Sequence, residues 1–439
     1  AIEGAEDFGR MIADPKNRFE PFPLTEVQKA YWIGRNGGYD LGEVSSHCYF
    51  EMEGRRLEVG ELERSWNTLV KVHDMMRAVI LADGSGQRIK KTVPYYKIKT
   101  TEVETEEQME AAILSSREEM AGKVYDSSKW PLFDVRMTYS GDRMCVHTSF
   151  DNIVYDGFSI FHLLEQWKSL TDGKKIDICK EISFRDYVQK ELSLKETAKY
   201  QADLHYWEEK AKQMAPAPQL PKARVQIEQA FQRFQMILGS EAWEKIEGVA
   251  KKHQLTLPVI FIGAYAEILG RYSNSRRFTI NLTRFQKYPF HEEVEKLIGD
   301  FTTLSLLEVD LSKGDSFVER CQAIGRQLHE DMEHSYVSGV EVERMLSRRS
   351  GSSGITMPIV FTSGFGVNRQ AAYFGEIVYG QSQTPQVWLD QQISIQNGKL
   401  HLSWDAIPGI FAPGLIENMF EEYQRLFEEI GEMEQAEKA

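Results

Sequence analysis

Two apolar periods run through the chain, one typical of amphipathic helices and one typical of β-strands. Helices are predicted where apolar residues recur every three or four positions, at 25–33, 62–73, 102–120, 158–170, 240–253, 257–272, 317–334, 341–349 and 415–426. A further, polar helix is predicted to end near Met214. Strands are predicted where apolar residues alternate or form short runs, at 78–82, 132–139, 144–150, 231–238, 277–283, 358–362, 387–395 and 400–404. Because the two types mix without strict βα alternation, the pattern predicts an α+β fold with mixed two-layer packing.

A proline-rich segment divides the pattern into two halves of similar size. Residues 215–221 read APAPQLP, and three prolines in seven residues neither continue a helix nor fit a central strand. We therefore predict an N-terminal lobe over 1–215, a linker over 215–221 and a C-terminal lobe over 222–439.

Composition and charge narrow the class of partner. The 439 residues carry 52 Lys plus Arg and 66 Asp plus Glu, for a formal net charge of −14. This balance argues against nucleic acid or an anionic membrane as the main partner, because either favours a basic surface. No apolar run approaches the roughly 20 residues of a membrane span. The segment after Ala1 lacks the build of a signal peptide, so we expect a piece of a longer cytoplasmic polypeptide.

The four cysteines give no sign of a metal or disulfide framework. Cys48, Cys145, Cys179 and Cys321 are far apart, with no CxxC pair or Cys/His cluster. We therefore predict no structural zinc and a reducing setting, and we interpret Cys145 as a small core residue of a strand.

The most distinctive short segment is DNIVYDGFS at 151–159, which follows a predicted strand and enters a predicted helix. Common nucleotide-binding, zinc-protease and serine-hydrolase motifs do not occur in the chain. Asp151 and Asp156 lie five residues apart, and Gly157 follows the second. Taken locally, this spacing favours an aspartate cap at the start of the helix together with a buried ion pair.

Together with other segments, 151–159 resembles the DxxxxDxxS motif of heterocyclization domains of nonribosomal peptide synthetases, which replaces the HHxxxDG of ordinary condensation domains. Six further segments are similar to family motifs and follow in family order: FPLTEVQKAYWIGR (22–35), HDMMR (73–77), GDFTT (299–303), PIVFTS (358–363), QTPQVWLD (383–390) and WD (404–405). The resemblance covers nearly the whole chain.

This resemblance implies a chloramphenicol-acetyltransferase-like pseudodimer of two lobes in a V, with a central tunnel. The partners would be an upstream donor and a downstream acceptor peptidyl carrier domain, beside an adenylation domain, and the excised domain would be monomeric. The domain itself would bind no cofactor and no metal, because phosphopantetheine arms belong to the carriers. The implied reaction joins a carrier-bound acyl group to carrier-bound cysteine, serine or threonine. It then cyclodehydrates the amide to a thiazoline or oxazoline.

The chemistry needs a group that moves protons, and Asp390 is the first candidate. It follows apolar residues in a predicted strand, where burial would raise its pKa. The resemblance assigns the same position, with Thr362 as its hydrogen-bonding partner. Ser363 could take the role of Thr362, and Gln383 and Gln391 are possible substrate contacts. A solvent-facing strand residue is the alternative for Asp390.

The two motif aspartates are interpreted as mainly structural. By resemblance Asp156 should pair with an arginine, for which Arg284 is the candidate. Asp151 could hold the turn or reach Arg35 or Arg77. Because cutting one side of a buried ion pair costs roughly 3–5 kcal/mol, loss of activity on mutating either aspartate would not prove catalysis.

Two further residues belong to the predicted surroundings of the site. Ser159 is expected in the first helical turn, near the tunnel that the resemblance implies. Strand alternation could direct His147 to the face of Ser149 and Asp151, but a packed histidine is the favoured interpretation.

Three other functions stay open at this stage. A condensation-type domain would form amides without closing rings, and an inactive member would only dock carrier domains. A free-standing acyltransferase using coenzyme A would favour HHxxxD and a basic pocket, where this chain has Asp151 and an acidic balance.

Overall fold

The computed structural model describes residues 9–35, 45–223, 231–350, 357–369, 373–384, 386–396, 399–407 and 409–433. Pro385 of the QTPQVWLD segment lies outside them. The helices in these ranges are α1 (Glu26–Arg35), α2 (Val59–Val72), α3 (Glu106–Met120), α4 (Gly157–Thr171), α5 (Phe184–Ser193), α6 (Ala198–Ala211), α7 (Ser240–Lys252), α8 (Leu257–Tyr272), α9 (Phe317–Glu333), α10 (Gly339–Ser350) and α11 (Leu415–Glu432).

The strands alternate irregularly with these helices, as the α+β prediction requires. They are β1 (His47–Arg55), β2 (Ala78–Ile80), β3 (Gln87–Ile89), β4 (Lys99–Val103), β5 (Phe133–Ser140), β6 (Arg143–Asp151), β7 (Gln232–Leu238), β8 (Arg277–Phe285), β9 (Thr302–Asp310), β10 (Ile359–Arg369), β11 (Glu376–Gln383), β12 (Leu389–Gln396) and β13 (Lys399–Ala406). Every predicted element is present, whereas strands β1, β3, β4, β9 and β11 and helix α5 were not predicted.

Several helices begin where the local sequence supplies a cap. Thr105, Ser183 and Ser316 each accept a hydrogen bond from a backbone amide three residues later, and a side chain at that later position bonds back. These capping boxes satisfy backbone donors that a helix start otherwise leaves open.

The structure divides into two compact units. The first contains 1–197, 285–302 and 371–385, and the second contains 198–284, 303–370 and 386–439. The predicted boundary at 215–221 is therefore revised, because the proline-rich segment lies inside the second unit. Two later segments return to the first unit. Segment 371–385 does so because its strand β11 pairs with β1 along its whole length, and segment 285–302 hydrogen-bonds to the start of α4.

A five-stranded sheet forms the centre of the first unit, in the order β11-β1-β6-β5-β4. All neighbours are antiparallel except β4 and β5. Helices α2 and α4 pack together through Trp66 and Trp167, whose rings meet edge to face 4.7 Å apart. Helix α3 buries Met109 and Ile113 against Cys145 of β6, so the prediction of a core cysteine is confirmed.

A six-stranded mixed sheet forms the centre of the second unit, in the order β7-β13-β12-β10-β8-β9. One face is apolar: Trp404 of β13 packs against Tyr265 of α8 and Tyr423 of α11, with ring centroids 5.3 and 5.1 Å apart. Alternation turns every second side chain to the other side. We call this the polar face; its members include Arg233, Asn281, Thr362, Asp390, Gln392 and Asp405.

Among the described residues, no single helix has the length and apolar character to cross a membrane. Helices α7 and α8 meet that test only as a pair, with a bend of 101° between them. All four cysteines are free thiols.

Candidate active site

The turn between β6 and α4 is closed by Asp156, as the local sequence predicted. Its Oδ1 accepts from the backbone N–H of Ser159 at 2.7 Å, which caps α4, and its Oδ2 accepts from the N–H of Phe301 at 3.1 Å. Burial raises the pKa of Asp156, and the positive charge of Lys287 in the same unit opposes that rise. Arg284 belongs to the second unit, so its pairing with Asp156 remains a prediction.

Ser159 lies in the first turn of α4, as expected, and is almost fully buried. Its hydroxyl donates to the carbonyl oxygen of Gly299 at 2.8 Å and accepts from the Gly299 N–H at 3.1 Å. Ser159 thus fastens the helix start to the GDFTT segment, a structural task.

Asp151 is paired with Arg35, one of the two partners named from the sequence. The two guanidinium nitrogens of Arg35 donate to the two carboxylate oxygens at 2.7 and 2.8 Å, and both side chains are buried. This two-point contact ties the end of β6 to α1. Arg77, the other candidate, bonds instead to Asp74 and to backbone carbonyls.

His147 is a packed histidine. It is fully buried, with one ring nitrogen 2.8 Å from the Tyr49 hydroxyl and the other 2.9 Å from the Thr138 hydroxyl. Burial lowers its pKa to about 4, so it stays neutral near neutral pH. Its two bonded nitrogens explain the residue without a substrate.

The second unit brings Thr362 and Asp390 together. They lie on the adjacent parallel strands β10 and β12, and the Thr362 hydroxyl donates to Asp390 Oδ1 at 2.9 Å. The strand register makes this contact possible, because Thr362 is opposite Gln392 and therefore diagonal to Asp390 on the same face. The sequence named this pair, and the geometry brings its atoms within hydrogen-bond distance.

The surroundings of Asp390 favour its neutral form. Although part of its surface reaches solvent, loss of hydration raises the pKa of its carboxyl to about 6, and the nearby Asp405 adds to the rise. Hydrogen bonds from Gln392 and Thr362 and the charge of Arg233 act in the opposite direction. Such a group both accepts and donates a proton near neutrality.

Three other predicted contacts lie elsewhere. Gln391 is fully buried opposite Trp404 on the apolar face, because adjacent strand residues point to opposite sides. The same alternation turns Ser363 away from Thr362. Gln383 is at the end of β11 in the first unit, in register with His47.

Sequence reasoning missed four residues of the polar face. The amide of Gln392 donates to both Asp390 and Asp405, and Arg233 pairs with Asp405. Asn281 is buried on β8 beside Val360, and its side-chain oxygen has no hydrogen-bond partner among the described residues. Asp405 was noted from the sequence only as part of the WD motif, and Gln392 lies just beyond the QTPQVWLD motif; strand register shows that they share a face with Asp390.

The parts of the chain that the structure describes contain no group of three or more His, Cys, Asp or Glu arranged to hold a metal. The polar face instead combines a hydroxyl, two amides, two carboxyls and a guanidinium. This set suits proton transfer and hydrogen bonding to a substrate.

Comparisons with known proteins agree with this arrangement. The Condensation domain family matches residues 20–437. Pyochelin synthetase PchF of Pseudomonas aeruginosa is 34% identical over 97% of this chain and 24% of its own length. Phenyloxazoline synthase MbtB of Mycobacterium sp. is 30% identical over 91% of this chain and 34% of its own length. The chain thus spans about a third or less of these curated relatives.

A solved structure gives the same result at the level of the fold. The EpoB NRPS cyclization-docking bidomain from Sorangium cellulosum superimposes with a TM-score of 0.88 and 32% identity, over 96% of this chain and 87% of that one. With its DxxxxDxxS segment and its Thr362–Asp390 pair, the chain belongs to the condensation-domain family of nonribosomal peptide synthetases, as a heterocyclization member.

Proposed function

We propose that this domain condenses a carrier-bound acyl or peptidyl donor with a carrier-bound cysteine and then closes the amide to a thiazoline. Serine and threonine acceptors would give oxazolines by the same route. The observation that carries the proposal is the hydrogen bond between Thr362 and Asp390, whose pKa is raised to about 6. Pyochelin synthetase, phenyloxazoline synthase and a cyclization bidomain are relatives of this chain, which favours the same chemistry.

The first step is attack of the acceptor amine on the donor thioester. This releases the donor carrier's thiol and forms the linear amide. A free amine and a thioester react readily once they are oriented, so positioning alone supplies much of the acceleration. Asp151, where ordinary family members have a histidine, is held by Arg35 and is assigned no proton transfer here.

Ring closure is where Asp390 is needed. The acceptor thiol adds to the amide carbonyl, forming the carbon–sulfur bond of a tetrahedral adduct. The adduct then loses its hydroxyl as water, and the nitrogen gives up its proton as the C=N bond forms. Asp390 takes up a proton in this sequence and delivers one to the departing hydroxyl, so no net proton is consumed. Thr362 holds the carboxyl and is close enough to share in binding the adduct.

The partners in this proposal are the donor and acceptor carrier domains and a neighbouring adenylation domain. Their phosphopantetheine arms deliver the substrates, and no cofactor of the domain itself enters the steps above. We also propose a cytoplasmic setting, where the free thiols of this chain persist.

The test is intact-mass analysis of the product left on the acceptor carrier, with an acyl-carrier donor and a cysteinyl-carrier acceptor. We expect the wild-type product to be one water lighter than the linear amide. Asp390→Asn should accumulate linear amide, with ring closure slower by about 10²–10⁴-fold. Asp315→Asn, an exposed change in the same unit, is the matched control and should cyclize normally.

Two outcomes would contradict the proposal in different ways. Linear amide alone from the wild-type protein, across cysteine, serine and threonine acceptors, would indicate an amide-forming condensation domain. No product at all, with carrier binding retained, would indicate an inactive docking module.

A further inference from the structure

Three ionisable side chains lie in one row across three neighbouring strands of the second unit. Asp390 of β12 is directly opposite Asp405 of β13, and Asp405 is directly opposite Arg233 of β7. Two carboxyls facing each other across strands repel when both are charged. Arg233 compensates for this, because its guanidinium donates to both oxygens of Asp405 at 2.5 and 2.7 Å.

Gln392 bridges the two carboxyls. Its amide nitrogen donates to Asp390 Oδ2 at 2.8 Å and to Asp405 Oδ2 at 3.2 Å, while Arg233 lies 3.4 Å from its amide oxygen. An amide NH₂ has two hydrogens, one for each carboxyl. Oδ1 of Asp390 is occupied by Thr362, so the carboxyl is held from both sides.

From this geometry we propose that Gln392, Asp405 and Arg233 are positioning residues, which orient the Asp390 carboxyl toward Thr362 and control its charge. The inference rests on the proposed function, in which Asp390 moves protons. It adds three residues that need not touch the substrate. Gln392 bonds to Asp390 directly, and Asp405 and Arg233 are linked to Asp390 through Gln392 and through their charges.

The neighbouring charges act on Asp390 with opposite signs. Asp405 from β13 raises the pKa of Asp390, whereas Arg233 from β7 and the bond from Gln392 lower it. A further titratable group that interacts with Asp390 is Tyr265 of α8. Burial raises the pKa of Tyr265, so it stays neutral. Asp405 is almost fully buried, so water screens its charge little. Its ion pair with Arg233 therefore sets how strongly its negative charge raises the pKa of Asp390.

The experiment measures the rate of ring closure on a preformed linear amide as a function of pH. The limb of this pH–rate profile that disappears in Asp390→Asn reports the ionisation of Asp390. Arg233→Gln should raise the apparent pKa of that limb, because a positive charge is lost. Asp405→Asn should lower it, because a negative charge is lost. Arg233→Lys keeps the charge and should remain close to wild type. If Arg233→Gln folds poorly, the downward shift in Asp405→Asn carries the test, and its absence overturns the proposal.

Gln392→Met tests the bridge itself, because methionine keeps the length of the side chain and removes its donor. We expect ring closure to fall by about 10–100-fold, as for one lost hydrogen bond to a charged group, with amide formation retained. Gln235→Met is the matched control: Gln235 lies on β7 in the same sheet and contacts His401. Equal cyclization by Gln392→Met and Gln235→Met would overturn the assignment of Gln392.

Carbon NMR titration of the Asp390 carboxyl, assigned with Asp390→Asn, gives a second measurement that does not depend on activity. Opposite shifts in Arg233→Gln and Asp405→Asn, with Arg233→Lys close to wild type, support the proposal; absent or parallel shifts in the first two variants overturn it. Failure of the proposed function has a different signature, since wild type would then make no ring or Asp390→Asn would cyclize like wild type.

Discussion

The hydroxyl of Thr362 is the smallest group on which the proposed chemistry depends. It donates to Asp390 Oδ1, so Thr362→Val removes one hydrogen bond to the carboxyl at almost constant shape. We expect ring closure to slow by about 10–100-fold. The apparent pKa of Asp390 in the pH–rate profile of ring closure should rise, because a hydrogen bond that favours its charged form is lost. The measurement is the ratio of ring to linear amide over a pH series.

Thr362→Ser is the control for this change, because serine retains the hydroxyl. It should keep most of the wild-type rate. If Thr362→Val and Thr362→Ser cyclize equally well, the hydroxyl has no part in the reaction.

The buried pair of Arg35 and Asp151 makes a residue-scale prediction about stability. Arg35→Met leaves a buried carboxylate without its partner, which should lower the free energy of unfolding by about 3–5 kcal/mol. Urea denaturation measures this loss. The double variant Arg35→Met/Asp151→Asn should recover part of it, because no unpaired charge remains; a double variant as unstable as the two losses added would contradict the ion-pair explanation.

The sequence could place individual residues where a short-range pattern decides their role. The Asp156 cap followed from local sequence. For Asp151 the sequence left Arg35 and Arg77 open, and the structure selects Arg35. The partners of Asp390 could not be found that way, because Arg233 lies 172 positions before Asp405 and meets it only through strand register. Gln391 was misplaced for a related reason: one position along a strand reverses the face.

At the scale of elements, the start of α4 depends on Asp156. Asp156→Ala removes the acceptor for the Ser159 and Phe301 amides, so we expect the unfolding free energy to fall by about 1–3 kcal/mol. Asp156→Ser keeps a capping oxygen and should lose less. Thermal and urea unfolding measure both, and equal stability of Asp156→Ala and wild type would contradict the capping role.

The pairing of β11 with β1 can be tested at Gly54. A side-chain carbon at this position would lie 1.9 Å from the carbonyl oxygen of Phe374, just before β11. Gly54→Ala should therefore lower the unfolding free energy by about 1–3 kcal/mol. Gly122 has open space around it, and Gly122→Ala should stay within about 0.5 kcal/mol of wild type. Similar stability of the two variants would mean that the backbone before β11 moves to make room for the extra carbon at little cost.

β11 also shows why the division into units exceeded what the sequence could predict. Its sequence, EIVYGQSQ, carries little apolar alternation, and its partner strand begins more than 300 positions earlier. Elements with strong periodicity, such as α2 and α11, were predicted because their burial follows from local spacing. Weak strands are recognised only once their neighbours are known.

At the scale of the whole molecule, the proposed active site should reduce the stability of the fold. The pKa of Asp390 is about 6 in the folded protein against a usual value of 3.8, so the folded state binds more protons than the unfolded state between these values. The stability contributed by the neutral carboxyl is complete below about pH 4. It is lost as the pH rises through 6, when Asp390 ionises in the folded state as well.

Asp390→Asn removes this dependence, because the amide stays neutral at every pH. Relative to wild type, the variant should gain about 1–3 kcal/mol of unfolding free energy on going from about pH 4 to about pH 8, the lower part of that range reflecting partial exposure of the carboxyl. Urea denaturation of both proteins at the two pH values measures the difference, with Asp315→Asn as the control that should show no such gain. A variant more stable at pH 8 yet unable to close the ring would show that Asp390 is kept for chemistry at the expense of stability. A gain of the same size in both variants would instead trace the effect to overall charge.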